Sequence, residues 1–439
     1  MGSDQRTIVF FPEGAHGPTN NCVGIGDVLR ARGHRVVFIV EESFAGTLQA
    51  KGFEERLMRL GPPPTEPEVP GQFWKDFIRD TAPVFRMPTI DQLAGFIVPT
   101  WQALIDGAKY VDPRLREILE ELDPNVIVED NVVAFPALPA SGRPWVRIAS
   151  CNPAELLDPA VAPVFSGYPD ADRSGWDAFR AEYCRTHGEM WADFDAFCRE
   201  RGAPGLPDGP EGPRFIHESP YLNLYLYPAE VDYPRALPLG PTWHRLDSCV
   251  RTTESTWELP ERLAHRSGAL IYLSLGSLGS ADVELMRRLV DVLGRTPHRY
   301  IVSKGPQHDE YELADNMAGA EFLPQPSILP MVDLAITHGG NNTVTECFHN
   351  GKPMILLPLF WDQYDNAQRV HETGFGVRLP TYAFEAAEMT AAIDRLLGDE
   401  ALHARLGAVS SRLRANPGTV RAADLIERLA ATGEPVTTG

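Results

Sequence analysis

Lysine is scarce in this sequence: 5 residues against 35 arginines in a chain of 439, and nowhere do the basic residues gather into a cluster. With a formal net charge of −20, the chain offers no electrostatic footprint for nucleic acid or for an anionic lipid surface. The arginine bias reads as the mark of a GC-rich bacterial genome. Cysteine is thin as well: six residues, at 22, 151, 184, 198, 249 and 347, with no CxxC and no Cys/His ligand spacing. That pattern excludes a disulfide framework and a zinc site, and fits reduced thiols in a cytoplasm. No stretch approaches the roughly 18 consecutive apolar residues of a membrane span. The N-terminus, MGSDQRTIVFFPEG, holds one Arg and the short apolar run IVFF, too little for a secretory signal. No repeat shows at a period of about 20–50 residues.

What is present is ordinary for a globular enzyme, 43% hydrophobic and 23% charged. The length exceeds the roughly 250–300 residues at which one core stops growing, so two domains are expected. TIVFF (7–11) leads through a Gly/Pro/Asn loop, PEGAHGPTNN, to a helical run with Val23, Val28 and Leu29 on one face, then to RVVFIV (35–40). RLREILEEL (114–122), NVIVE (125–129) and PWVRIA (144–149) continue the alternation. Apolar strands buried on both faces and joined by helices predict a parallel α/β sheet. Residues 151–220 lose the alternation and read as an insertion whose aromatics pack or line a pocket.

YPAEVDYPRALPLGPTW (227–243) is rich in proline and reads as a stiff linker. A second α/β series follows: ALIYLSLGS (269–277), a helix at about 282–293, RYIVS (299–303), DLAIT (333–337) and PMILLP (353–358). TVRAADLIERLA (419–430) has helical spacing. The expected organisation is therefore an N-terminal domain over 1–226, the linker 227–243, a C-terminal domain over 244–415, and a terminal helix and tail over 416–439 packing back on the first domain.

The stretch ITHGGNNTVTE (336–346) stands where an apolar strand stops and a helix begins. Strand, Gly-rich turn and helix together place free backbone N–H groups and a positive dipole end at one point, an anion site. Thr343-Val-Thr-Glu346 also matches a capping box, and on the tetrapeptide alone a cap is the simpler reading. The surroundings decide otherwise. Phe322-Leu-Pro-Gln325, His338-Gly-Gly340-Asn-Asn342-Thr343-Val-Thr-Glu346, Pro353, Pro358, Asp362-Gln363 and Asn366-Ala367 follow one another over about 45 residues. In this the sequence resembles the family 1 (UDP-dependent) glycosyltransferases, of the bacterial natural-product type.

The resemblance implies an α/β GT-B fold, two Rossmann-like domains facing across a cleft, with the donor held by the second. It implies that Phe322 stacks on uracil, where many members carry Trp, and that Gln325 sits near base and ribose. His338, Gly340, Asn342, Thr343 and Ser277 would surround the diphosphate, and Glu346 would accept both ribose hydroxyls. Trp361, Asp362 and Gln363 would read the sugar; the Asp-Gln pair suits a fully hydroxylated hexose such as glucose. The resemblance further implies an inverting transfer with no metal and no cofactor beyond the UDP-sugar co-substrate. The family's general base is a His in the first loop, and here His16 of EGAHGP stands there. A hydroxyl needs such a base, because it is a poor nucleophile until its proton is being removed. Asp130, directly after NVIVE, matches the carboxylate that orients the base; Glu129 is the runner-up, turned away by strand alternation. Many members have His-x-x-Pro where this chain has HGPTNN, which puts the geometry of the acceptor loop in question.

Other features carry less. DAD (170–172) and DFD (193–195) look like a metal-binding DxD, yet about two such triplets are expected by chance among 28 Asp. Gly24-Ile-Gly26 lacks the third glycine of a dinucleotide fingerprint. His187, His217, His244, His265 and His298 read as solvated or hydrogen-bonded surface groups. Phe73, Trp74, Phe77, Phe85, Trp101 and the aromatics of 165–197 are the candidate acceptor lining, with no acceptor-binding residue assigned. The expectation is a cytoplasmic enzyme, monomer or homodimer, that glycosylates a small lipophilic acceptor, as in antibiotic biosynthesis. Transfer to an aromatic carbon, a dTDP-sugar donor, an epimerase or cell-wall transferase on the same fold, a non-catalytic nucleotide-sugar-binding protein and an NAD-dependent oxidoreductase are the alternatives.

Overall fold

A computed structural model of the chain describes residues 5–63, 72–252 and 256–438, apart from the side chains of His16 and of residues 72–75. Phe73 and Trp74, two candidates for acceptor lining, thus lie outside the described side chains. The N-terminal lobe holds β1 (Thr7–Pro12), β2 (Arg35–Glu41), β3 (Glu54–Met58), β4 (Val126–Asp130), β5 (Trp145–Ala149), β6 (Leu222–Tyr225) and β7 (Trp243–Arg245). They form one seven-stranded sheet in the order β3-β2-β1-β4-β5-β6-β7. β4 and β5 are buried along their whole length, as a parallel sheet with helices on both faces requires.

The C-terminal lobe holds β8 (Leu270–Ser274), β9 (Arg299–Ser303), β10 (Met317–Ala320), β11 (Leu334–Thr337), β12 (Met354–Leu356) and β13 (Gly376–Arg378). These make a six-stranded sheet ordered β10-β9-β8-β11-β12-β13. Every pairing in both sheets is parallel. Strand order reverses between β1 and β4 in one sheet and between β8 and β11 in the other. Connections there leave toward opposite faces and open a crevice at the carboxyl ends of the strands. Topology alone therefore puts the loops after β1, β4, β8 and β11 at the site.

Three expectations need correction. The loop PEGAHGPTNN is mostly helix: the first helix runs His16–Ala31. Pro18 fits its first turn, where the missing N–H would have had no intrahelical partner. The Pro-rich segment 227–243 is not where the chain changes lobes. β7 follows it and still pairs with β6, so the crossing falls after Arg245. Third, His187, His217 and His244 are buried, at 0%, 5% and 6% exposure. Each bonds a backbone carbonyl, of Tyr183, Pro204 and Val436 respectively, which gives the N–H of a neutral ring its partner without solvent.

Helix Gly418–Thr432 lies against the first helix, where Glu427 meets Arg32 and His34 at 2.6 and 2.9 Å. In the insertion, helix Trp176–Glu200 buries Trp176, Phe179, Tyr183 and Phe194, so most of its aromatics pack. Neither DxD lies free: Asp170 accepts from Arg369, and Asp195 from Arg199 and the Leu206 N–H.

Candidate active site

A cavity of about 660 Å³ opens between the lobes at the two switch points. Ser277, Phe322, Gln325, His338, Gly340, Asn342, Thr343, Glu346, Trp361, Asp362 and Gln363 all line it. The family resemblance implied that these residues share one site, and folding brings them to one wall. Helix Asn341–His349 points its N-terminus into the space, with Gly340 as its cap residue and no side-chain cap bond. The capping-box reading thus fails: Thr343 and Glu346 lie inside the helix, and the Glu346 carboxylate is directed elsewhere.

His338 is wedged between two backbones. A Cβ on Gly340 would meet its Nε2 at 2.6 Å, and one on Gly276, which has φ +68°, at 3.0 Å. Only glycine permits that approach. Burial lowers the His338 pKa to about 4, although the Ser274 carbonyl bonds the ring and pulls the other way. The imidazole is therefore neutral before an anion arrives. Glu346, 4% exposed, accepts from Gln325 Nε2 at 2.5 Å and from Arg251 Nη1 at 3.1 Å. Gln325 also reaches Thr343 Oγ1 at 3.2 Å. Phe322 stands 56% exposed at the cavity edge, and a large exposed ring there is a platform for a flat partner.

Asn342 behaves differently from its expected role. Its side chain joins the lobes, Nδ2 donating to the Gly17 carbonyl at 2.7 Å and Oδ1 accepting from Asn21 at 2.9 Å. That amide is engaged by protein and is not free for a phosphate. Its neighbour Asn341 donates to the Ser150 and Leu226 carbonyls. Asp362 Oδ2 accepts from the Asn152 N–H across the cleft at 2.8 Å and from Asn366 at 3.2 Å. Gln363 Oε1 accepts from the Leu359 and Phe360 N–H groups, which turns its amide nitrogen outward. Trp361 has φ +57°, a conformation costing a non-glycine residue about 1–3 kcal/mol and held where the surroundings over-determine it. Here the rings of Trp101 and Phe165, at 5.2 and 4.8 Å, do so.

The opposite wall comes from the N-terminal lobe. Asp130 is not among the lining residues but stands behind them: it ends β4, 2% exposed, with Oδ1 accepting at 2.6 Å from the Oγ of Ser150, which does line the cavity. Its Oδ2 has no hydrogen-bond partner among the described residues. Burial pushes its pKa to about 8, against the pull of the Ser150 bond, so Asp130 carries charge only beside a cation. Glu129 faces Arg147 of β5, its partner in register, and away from the cavity. His16 is the first residue of its helix, one before the Gly17 carbonyl that Asn342 holds; its side chain is outside the described residues. Sequence reasoning missed Glu13, which lines the cavity and is raised to about 7 by burial and then by Glu41 and Glu155. It also missed Phe96, Leu104, Val132 and Phe360, the apolar lining. The proposed Phe85 and Trp101 stand one layer behind, Phe85 stacked on Phe360 at 4.9 Å. No group of three or more His, Cys, Asp or Glu is placed to hold a metal among the described residues, and no helix there is long and apolar enough to cross a membrane.

The buried carboxyls predict a pH profile. Glu13 and Asp362 near 7 and Asp130 near 8 all lie above their unfolded values. The native state then binds more protons than the unfolded one between about pH 4 and 8, and stability falls as pH rises through that window. His187 and His338, both lowered to about 4, act oppositely: they lose stability as pH falls from about 6.5. Above about pH 6.5 only the raised carboxyls among these groups still titrate, so urea midpoints should fall between about pH 6.5 and 8. A midpoint that climbs steadily to about pH 9 would contradict the burial assigned here.

Comparison with known proteins agrees with this geometry. Residues 229–417 match the family model described as UDP-glucoronosyl and UDP-glucosyl transferase. The chain is 26% identical to oleandomycin glycosyltransferase of Streptomyces antibioticus, over 96% of this chain and 90% of the relative. It is 25% identical to zeaxanthin glucosyltransferase of Pantoea ananas, over 94% and 93%. Among solved structures, the glycotransferase of kitacinnamycin superposes with a TM-score of 0.69 at 21% identity, over 97% of this chain and 99% of that one; at such identity the likeness speaks for the fold. The second lobe thus matches the UDP-glucoronosyl and UDP-glucosyl transferase family, and the chain as a whole is similar to glycosyltransferases and shares the two-lobed GT-B fold of the solved ones.

Proposed function

We propose that the chain transfers a hexose, glucose foremost, from a UDP-sugar to a hydroxyl of a small lipophilic natural product, with inversion and without a metal. The observation that carries this reading is the two-faced cavity. One wall offers Ser277, His338, Thr343 and a helix N-terminus, and the other Phe96, Leu104, Val132 and Phe360. Donors aimed at one point favour a diphosphate as its charge develops on leaving. The neutral His338 would take up a proton as the diphosphate settles against it. The apolar wall favours an acceptor that leaves water readily.

Within this reading His16 removes the acceptor proton, Asp130 Oδ2 steadies the imidazolium, and Ser150 holds Asp130 in place. The remaining oxygen of Asp362 and the amide of Gln363 form an acceptor–donor pair for neighbouring sugar hydroxyls. The relatives' printed substrates, a macrolide name and a carotenoid, and the word glucosyltransferase support the acceptor class and the sugar.

The test is a thermal-shift panel with UDP, dTDP, GDP and NAD, followed by transfer assays with UDP-glucose in EDTA. Saturation at about 100 times Kd adds about 2.7 kcal/mol, a readable shift of the midpoint. A rise with UDP and an EDTA-insensitive rate support the proposal. A larger shift with dTDP would replace the donor, and a shift with NAD alone would overturn the proposal.

A further inference from the structure

Arg251 belongs to no motif in the sequence, yet it lines the cavity. It arrives on the crossing that leaves β7, and that crossing runs tight over the first helix. A Cβ on Gly24 would meet Thr419 Cγ2 at 3.1 Å and the Arg251 Cα at 3.5 Å. From this ledge the guanidinium reaches Glu346, and the pair is nearly enclosed, with side-chain exposures of 10% and 6%. Gln325 holds the other carboxylate oxygen. Among the described residues, Tyr272 and Cys347 also stand near Glu346, and burial raises both well above neutrality, so neither supplies a charge.

We propose that Arg251 is a positioning residue for the donor nucleotide. It keeps Glu346 ionised and turned into the cavity, which makes the site selective for a ribonucleoside diphosphate over its 2′-deoxy counterpart. The inference rests on the reading of the cavity as a nucleotide-sugar site and adds the residue that sets its ribose selectivity. A buried carboxylate stripped of its cation regains stability by taking a proton, and a protonated acid is a poor acceptor for two hydroxyls. The guanidinium meets one carboxylate oxygen through Nη1 and Gln325 meets the other, so the two together fix the orientation of the carboxylate. A lysine ammonium matches that charge but not the planar donor.

The experiment measures UDP and 2′-deoxy-UDP binding to the full chain by calorimetry, for the wild type, Arg251→Gln, Arg251→Lys, Glu346→Gln and the Gln/Gln double variant. The wild type should bind UDP about tenfold more tightly than deoxy-UDP, the factor for one charge-assisted hydrogen bond. Arg251→Gln should weaken UDP about tenfold or more and reduce that preference to about twofold, while Arg251→Lys keeps much of it. Added to Glu346→Gln, the arginine change should alter UDP binding less than about twofold, since it acts through the carboxylate. In turnover, KM for the UDP-sugar rises and kcat holds. Equal weakening of both nucleotides by Arg251→Gln, or an effect fully additive with Glu346→Gln, would overturn the inference while leaving the donor site standing. If Arg251→Gln does not fold, an unchanged preference in Glu346→Gln overturns it equally well. Wild-type protein that binds neither nucleotide would sink the donor reading itself.

Discussion

Asp130→Ala is expected to lose about a thousandfold in kcat with the UDP affinity kept within about threefold. Asp130 Oδ2 is buried with no hydrogen-bond partner among the described residues, while Ser150 holds Oδ1. A buried lone acceptor is costly unless something visits it, and a positive charge formed during the reaction is such a visitor. Asp130→Asn should fare no better, because the amide offers a donor where the imidazolium also donates. His16→Ala should cost as much, and the double variant little more than either, as groups acting as a unit do. Steady-state rates on the four variants, with nucleotide binding as the check on folding, decide the matter. Full loss in His16→Ala with none in Asp130→Ala would assign the orienting role elsewhere.

Asp365→Ala is expected to lower stability by about 2–4 kcal/mol, read as a shift in the urea midpoint at unchanged slope. Asp365 stands in helix Gln363–Glu372 of the second lobe and accepts from the Phe165 and Gly167 N–H groups of the first at 2.7 and 2.8 Å. Burial raises its pKa to about 8 even though both bonds pull it down, a sign of how little water reaches the seam. Alanine would strand two buried N–H donors. Asparagine can serve only one of them, so Asp365→Asn should recover less than half of the loss. A midpoint unchanged by both substitutions would show that the seam opens to solvent.

The donor half of the site was legible because its residues lie within about 45 positions of one another, and the strand–turn–helix unit carries them together. Phe322, Gln325, His338, Glu346, Asp362 and Gln363 were found because that compact run of residues resembles a known family's motif. Arg251, Glu13 and Phe96 come from three separate loops and helices and meet only after the lobes close, so no local pattern points to them. The strands missed in the sequence are short, and apart from β6, four residues inside its sheet, they lie at sheet edges. β3 reads EERLM and β10 MAGA, because an edge strand needs no continuous apolar face. Asn342 was misassigned for a related reason: its position in the turn was readable, but its partners, Gly17 and Asn21, lie more than 300 residues away. The buried histidines were taken for surface groups because polarity alone does not reveal a backbone carbonyl waiting inside.

The divided carboxylate of Asp362 has a kinetic consequence. One oxygen of this cavity-lining side chain is bound by the backbone of Asn152 in the other lobe. Under the proposed function, a donor sugar that drew on the same carboxylate would be felt across the cleft at Asn152. Product-inhibition kinetics would show that coupling as addition of the nucleotide sugar before the acceptor, and random addition would show the two halves acting independently.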